Sequence, residues 1–312
     1  MADDLLDRFF GKGVPKLGGP PVANPRLRDP LGLQCLFDIP LDLKADAVQA
    51  AVRDYHPDLD QATVELFHVP PDDKTRDRPH DLEPAIMGLV AWGPHVIKLV
   101  AFANPMPPEA VRACVQPAHF APEFKEVAYR HQTHVVLFYN GYDQDPLEQY
   151  VALAAVAGVL ATFGAVFTLN ETARTAIPAP VLTAHEEDNG DMLGALRGLP
   201  LVLLYCGFVK LEIEGQPGVW MRTYGAHRFG LPDLALHAPD HTSAQFTFEL
   251  FGNALRYLRT SGQRFAPGHT MQVGDDLFLR LRARTPDEWY LDSEGEMLVA
   301  ERAAGVDVSA HP

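Results

Sequence analysis

Apolar positions recur along the chain in two rhythms, and the changes of rhythm mark its elements. Leu33 to Asp38, Thr63 to Val69 and His134 to Tyr139 are short apolar runs with strand composition. Ile86 to Trp92 and Val96 to Phe102 form a hairpin through Gly93-Pro94. Ala45 to Asp54 has helical spacing, and Pro108 to Val115 and Pro122 to Arg130 are helices opened by proline-led turns. Between the strands, Pro70 to His80 is a charged, polar loop.

Tyr150 to Leu169 is uncharged and has the nominal length of a membrane span. Its flanks give another reading: Asp145-Pro146 with Glu148 opens a helix, Gly164 stops it, and Ala165 to Leu169 has strand propensity. Acids flank the segment and no basic cluster orients insertion. The expectation is a buried helix from Pro146 to Phe163 followed by a buried strand, with no membrane partner.

Beyond it, Leu201 to Tyr205 precedes a clear hairpin. Phe208, Val209, Leu211 and Ile213 alternate imperfectly with Lys210, Glu212 and Glu214, which predicts a half-buried strand. Gly215-Gln216-Pro217-Gly218 supplies the turn and Val219 to Tyr224 the return strand. A helix runs from about Ser243 to Arg259, with Thr242 or Ser243 as N-cap and Gly262 as its stop. Phe246, Leu250, Asn253, Ala254, Tyr257 and Leu258 fall near one face. Leu277 to Ala283 and Met297 to Glu301 are the closing strands.

Strands and helices alternate, but the hairpins exclude a purely doubly wound sheet. The predicted class is α+β, two halves of mostly antiparallel sheet with packed helices and ferredoxin-like β-α-β units. The organisation expected is an amphipathic helix (Leu5, Leu6, Phe9, Phe10) with a Pro/Gly tether over 1–30 and an α+β half over 31–184. An acidic connector over 185–198, a second α+β half over 199–303 and a frayed tail over 304–312 follow.

Composition narrows the function classes. A length of 312 residues fits two domains. Twenty-six basic against forty-one acidic residues give a net charge of −15, which repels nucleic-acid and anionic-membrane surfaces. Cys35, Cys114 and Cys206 stand far apart in apolar surroundings, the pattern of buried thiols in a reducing compartment. The acidic start Met1-Ala2-Asp3-Asp4 is no secretory signal, so a cytoplasmic location is expected and the Asn170-Glu171-Thr172 sequon is idle.

Motifs that announce chemistry are absent: no phosphate loop of the GxxxxGK type, no GxGxxG after a strand, no HExxH, no GxSxG and no EF-hand loop. No cofactor is implied. His237 and His241 have ligand-like spacing, but Pro239 prevents the helix that would align them, and no metal site is expected. His131 and His134 straddle a helix-to-strand boundary and read as packed or solvated. Asp143, Asp145 and Glu148 cluster at a helix start, where the dipole stabilises acids.

The segment Tyr224 to Asp233 is richer. His227 is the one side chain there of a type whose unperturbed form changes charge near neutrality, Arg228 can grip a carboxylate or phosphate through paired hydrogen bonds, and Asp233 can orient either. The competing reading is a structural corner shaped by Gly225, Gly230 and Pro232 and plugged by Phe229. Tyr224, His227, Arg228, Asp233 and Glu171 are the binding candidates; no catalytic residue is assigned.

These motifs carry a resemblance. Phe208-Val209-Lys210-Leu211, Trp220 to Gly225 and His227 to Leu234 resemble the signature of a bacterial family designated domain of unknown function 4261. His134 to Tyr139, Asp145 to Tyr150 and Leu169-Asn170-Glu171 resemble it too, so the similarity spans roughly Leu33 to Glu301. It implies a cytoplasmic bacterial protein of unestablished activity and carries over no catalytic residue. Two functions remain open: a non-enzymatic interaction module, immunity-like and taking a basic protein partner, or an enzyme or small-anion sensor built on His227 and Arg228. Neither predicts an oligomeric state.

Overall fold

The computed structural model describes residues 22–69, 84–118, 120–184, 190–273 and 277–303. They fall into two units, one within Met1–Glu171 and Ala176–Leu199, the other within Thr172–Thr175 and Pro200–Pro312. The amphipathic segment at Leu5–Phe10, the loop 70–80, the acidic residues 185–189 and the tail from 304 lie outside the described residues.

The first unit is built on a sheet ordered β2-β3-β4-β5-β1-β6-β7. Its strands are β1 (Gly32–Phe37), β2 (Thr63–His68), β3 (Pro84–Trp92), β4 (His95–Phe102), β5 (Thr133–Tyr139), β6 (Ala165–Asn170) and β7 (Thr175–Pro178). The helices are α1 (Ala45–Tyr55), α2 (Pro108–Val115), α3 (Pro122–Tyr129) and α4 (Pro146–Thr162). β1 pairs antiparallel with both β5 and β6, in registers such as Cys35 opposite Val135 and Thr168. β5 and β6 are therefore parallel to each other, joined by α4 across a strand inserted between them. This split β-α-β arrangement is the predicted ferredoxin-like unit.

Residues 150–160 of α4 are buried on every face, as the charge-free stretch requires once it packs in a protein core. Asp145 caps the helix, its Oδ1 accepting from the Leu147 amide at 2.9 Å, and Gly164 stops it at φ 97°. No helix among the described residues is long and apolar enough to cross a membrane. At Gly158 the backbone of Leu182 comes so near that a Cβ would stand 2.0 Å from its carbonyl oxygen. Tyr55 Oη donates to the same oxygen at 2.6 Å, tying α1 to this crossing. Asn24, within the expected tether, is joined to the body: its amide donates to Asn140 O at 2.7 Å and its side chain to Gly141 O at 3.0 Å.

The second unit is a sheet ordered β11-β12-β13-β10-β9-β8. Its strands are β8 (Gly207–Leu211), β9 (Val219–Tyr224), β10 (Asp233–Ala238), β11 (Thr270–Val273), β12 (Leu277–Ala283) and β13 (Met297–Arg302). β10 and β13 pair in parallel, whereas β8–β9, β9–β10, β11–β12 and β12–β13 are antiparallel. Both units thus have the α+β character expected, with sheets mostly antiparallel.

Several elements differ from the sequence reading. Met192–Gly198 (α5), inside the stretch read as a connector, is a helix capped by Asp191, whose Oδ1 accepts from the Gly194 amide at 2.8 Å. Leu201–Leu204 (α6) is a single helical turn. β7, β10 and β11 were not predicted, since none presents a clean apolar alternation. The helix α7 (Ala244–Ser261) ends at Gly262, φ 68°, as predicted, but its buried stripe is Thr247, Leu250, Phe251, Ala254, Leu255 and Leu258. Phe246, Asn253 and Tyr257, read near one face with Leu250, Ala254 and Leu258, are exposed and line a groove beside β11.

Candidate functional site

The hairpin β8–β9 places the candidate residues. Its strands pair from Gly207 opposite Tyr224 to Leu211 opposite Trp220, and the turn uses Gly215 at φ 78° and Gly218 at φ 87°. β9 also pairs with β10, so it is an interior strand and all six of its residues are buried, whereas β8 keeps Lys210 and Leu211 partly exposed, in line with the half-buried strand expected there. Alternation along β9 puts Trp220, Arg222 and Tyr224 on one face. Trp220 packs there with Ala235, Leu291, Met297 and Val299.

After Tyr224 the chain turns at Gly225 (φ 86°), makes one tight helical turn over Ala226–Phe229 and leaves it at Gly230 (φ 67°). Asp233, fully buried, holds this corner together. Its Oδ1 accepts from Thr223 Oγ1 at 3.0 Å and from the Ala226 amide at 3.2 Å, and its Oδ2 from Ser293 Oγ at 2.5 Å. Thr223 Oγ1 in turn accepts from the Leu234 amide at 2.9 Å. The carboxylate closes the loop between two adjacent strands, with its charge spread over three donors.

His227 sits on the outer side of the corner. Its Nε2 is 3.1 Å from Glu294 Oε2, and its Cβ occupies the place a side chain would need at Gly295, 2.4 Å from the Cβ that residue lacks. The two groups are within ion-pair distance, and the ring nitrogen is not aligned for a hydrogen bond. Arg228 is half-buried beside it. Tyr224, His227, Arg228 and Asp233 therefore belong to one corner, whereas Glu171 belongs to the other unit, where its amide donates to Gln34 Oε1 at 3.2 Å.

Two arginines that the sequence reading left out define the inner side. Arg222 is fully buried; its Nη1 donates to Tyr290 O at 3.2 Å and Asp292 O at 3.0 Å, and its Nε to Thr223 O at 3.3 Å. Among the described residues its Nη2 has no hydrogen-bond partner. The guanidinium carbon lies 3.8 Å from the centroid of the Tyr224 ring, and that of Arg174 lies 4.3 Å from the same centroid. Arg174 Nη1 also donates to Tyr224 Oη at 3.1 Å. Burial lowers the Arg222 pKa from its ordinary value, Tyr224 and Asp233 oppose the shift, and the nearby Arg174 adds to it. The signal for Arg222 was a charged residue between Trp220 and Tyr224 on one strand face. Arg174 had none, because its contact spans 50 residues of chain.

A second feature is concave. A groove of about 560 Å³ runs between α7 and the edge strand β11, lined by Phe246, Leu250, Ala254, Tyr257, Met271 and Val273, with Glu249 at its wall. Phe246 is 44% and Tyr257 53% exposed. Phe246 also borders a cleft of about 800 Å³ at the sheet end, lined in part by Trp220, His237 and Arg302.

The other titratable candidates are held by the fold. His131 Nδ1 donates to Ala128 O at 2.7 Å and its Nε2 accepts from the Met106 amide at 2.8 Å, which makes it a neutral imidazole. His134 Nδ1 donates to Asn104 O at 2.8 Å, with the ring stacked on Phe102. Burial lowers the pKa of both. His237 contacts Pro217 O and Trp220, whereas His241 pairs with Glu212 at 2.7 Å. Among the described residues no group of three or more His, Cys, Asp or Glu is arranged to hold a metal ion. Asp143 accepts from the Asp145 amide, and Glu148 pairs with Arg197 at 2.8 Å. The three cysteines are buried thiols, Cys35 pushed up to about 12 by burial.

The fold and corner define an α+β protein of two units with a polar hairpin corner in the second. Residues 222–297, from the buried arginine to the first residue of β13, match the family described as Domain of unknown function (DUF4261). The match contains Arg222 to Gly225 and His227 to Leu234 of the resemblance; the motifs at 134–139, 145–150 and 208–211 lie outside it. No curated protein and no solved structure matches the chain.

Proposed function

We propose that this protein is a non-enzymatic interaction module of the cytoplasm that binds an extended, basic segment of a partner protein along the α7–β11 groove. The observation that carries the reading is the pair Phe246 and Tyr257, two large exposed aromatics on one helix face beside an edge strand. Among the described residues β11 is the last strand of its sheet, so an extended peptide can add beside it while its side chains take the aromatic positions. Glu249 in the groove and the net charge of −15 favour a basic segment and speed its encounter. An immunity-like role, in which the partner is a toxic basic protein, is the form of this reading that suits the charge.

The experiment is affinity capture with the full chain from its native cells, then identification of any stoichiometric partner and a titration of that partner. Truncating both aromatics (Phe246→Ala with Tyr257→Ala) is expected to weaken binding about thirtyfold or more, the effect of losing a hot-spot aromatic. Recovery of no stoichiometric partner, or a partner held equally by the double variant, would sink the reading.

A further inference from the structure

Arg222 and Arg174 present an imbalance that the corner does not resolve. A guanidinium buried this completely is ordinarily met by a carboxylate, because an unpaired donor in a low-dielectric interior keeps the full cost of its lost hydration. Among the described residues neither arginine has a carboxylate at ion-pair distance. The acids whose charge reaches Arg222 are Asp233 and Asp292. The first gives its oxygens to Thr223, Ala226 and Ser293, and the second pairs with Arg284 at 2.9 Å. Nη2 of Arg222 is left over.

Arg174 is exposed, yet among the described residues it alone is a non-glycine with a left-handed backbone, φ 52°. Residues held in that region against their preference collect at binding sites, where the surroundings impose the conformation. Here the surroundings are visible. A Cβ at Gly207 would stand 1.7 Å from Ala173 O, and one at Gly225 would stand 3.4 Å from the Ala173 side chain. The turn carrying Arg174 is thus seated between the start of β8 and the end of β9, and it delivers a second cation to the ring that Arg222 already covers.

We propose that Arg174 and Arg222, arranged about Tyr224, form a binding site for a phosphate-type dianion. Two guanidiniums beside one ring repel each other, and a doubly charged tetrahedral anion neutralises both while accepting from Arg222 Nη2 and from the donors of Arg174 not given to Tyr224. A monocarboxylate balances only one of the two charges. The exposed Arg174 is the entry side. The ligand is either free phosphate or a phosphoryl group on a larger molecule. This site rests on other residues than the peptide groove, and it stands or falls separately.

The test is calorimetric titration of the full chain with inorganic phosphate, and separately with phosphoserine, at constant ionic strength, with acetate as the comparison. Saturable heat with phosphate and none with acetate is expected; tighter binding of phosphoserine identifies a phosphoryl-bearing ligand, and equal or weaker binding identifies the free ion. Arg174→Gln, at an exposed position, is expected to weaken phosphate binding about tenfold or more while the fold stays intact by circular dichroism. Arg222→Lys tests the buried partner, and the surface variant keeps the test decisive if that chain does not fold. The Phe246→Ala, Tyr257→Ala double variant should bind phosphate as the parent does. Absence of saturable heat, an equal response to acetate, or unchanged affinity in Arg174→Gln overturns the proposal.

Discussion

Asp233 and Arg222 are both buried without exposure in the same sheet, and the fold treats them in opposite ways. The carboxylate has three donors that fix two strand ends and the corner between them. The guanidinium is held by three carbonyls and a ring, with one nitrogen left over. A buried ion with every partner in place reads as structure, whereas one with a missing partner leaves room for another molecule.

Removing the satisfied ion should cost most. Asp233→Ala leaves the Thr223 hydroxyl, the Ala226 amide and the Ser293 hydroxyl without their acceptor in a buried site, and a loss of about 3 kcal/mol is expected in urea unfolding. Arg222→Met keeps the length of the side chain and removes the charge, so the loss should be smaller, about 1 kcal/mol. If the two losses are equal, the contrast between the ions fails.

His131 extends the comparison to a neutral group. It is satisfied at both nitrogens only while uncharged, and its folded pKa is depressed chiefly by burial. Because the unfolded chain takes up the proton more readily, stability is fully present above the ordinary value of 6.5 and is lost as pH falls from there toward the folded value. His134 and His95 shift the same way for the same leading cause. Chemical denaturation between pH 8 and pH 5 should show this fall, and His131→Leu should flatten it while lowering stability at the upper end. An unchanged slope in that variant would remove His131 from the account.

The backbone at Arg174 gives a smaller and cleaner difference. Arg174→Gly and Arg174→Ala lose the same ring contact, but only glycine accepts φ 52° without strain. The glycine variant should therefore be more stable than the alanine variant by about 1 kcal/mol, as read from paired melts. Equal stabilities would mean the turn relaxes and imposes nothing on the arginine. Smallest of all, Phe246→Ala with Tyr257→Ala should shift stability by under about 1 kcal/mol, since both rings are half-exposed.

Much of the fold was legible because it is written in local patterns. The β3–β4 and β8–β9 hairpins, the Asp145 cap and the stops at Gly164 and Gly262 each follow from a few neighbouring residues. β10 was missed because it begins with a buried acid and alternates alanine with leucine, and β11 because its residues are half-exposed at a sheet edge. At the corner, residue type alone drew attention to His227 and Arg228. The partners of Asp233 and the meeting of Arg174 with Tyr224 depend on strand register and on distant chain, which no local pattern encodes.

The insertion of β1 between β5 and β6 also sets an order of events during synthesis. Cys35 meets Thr168 only after 133 further residues have been made, and Asp38 meets Gln132 after 94. At about 5–20 residues per second this leaves an apolar strand waiting roughly 5–27 s for its neighbours. The nascent chain is therefore exposed to aggregation, and its yield should depend on chaperone supply more than on the stability of the finished protein.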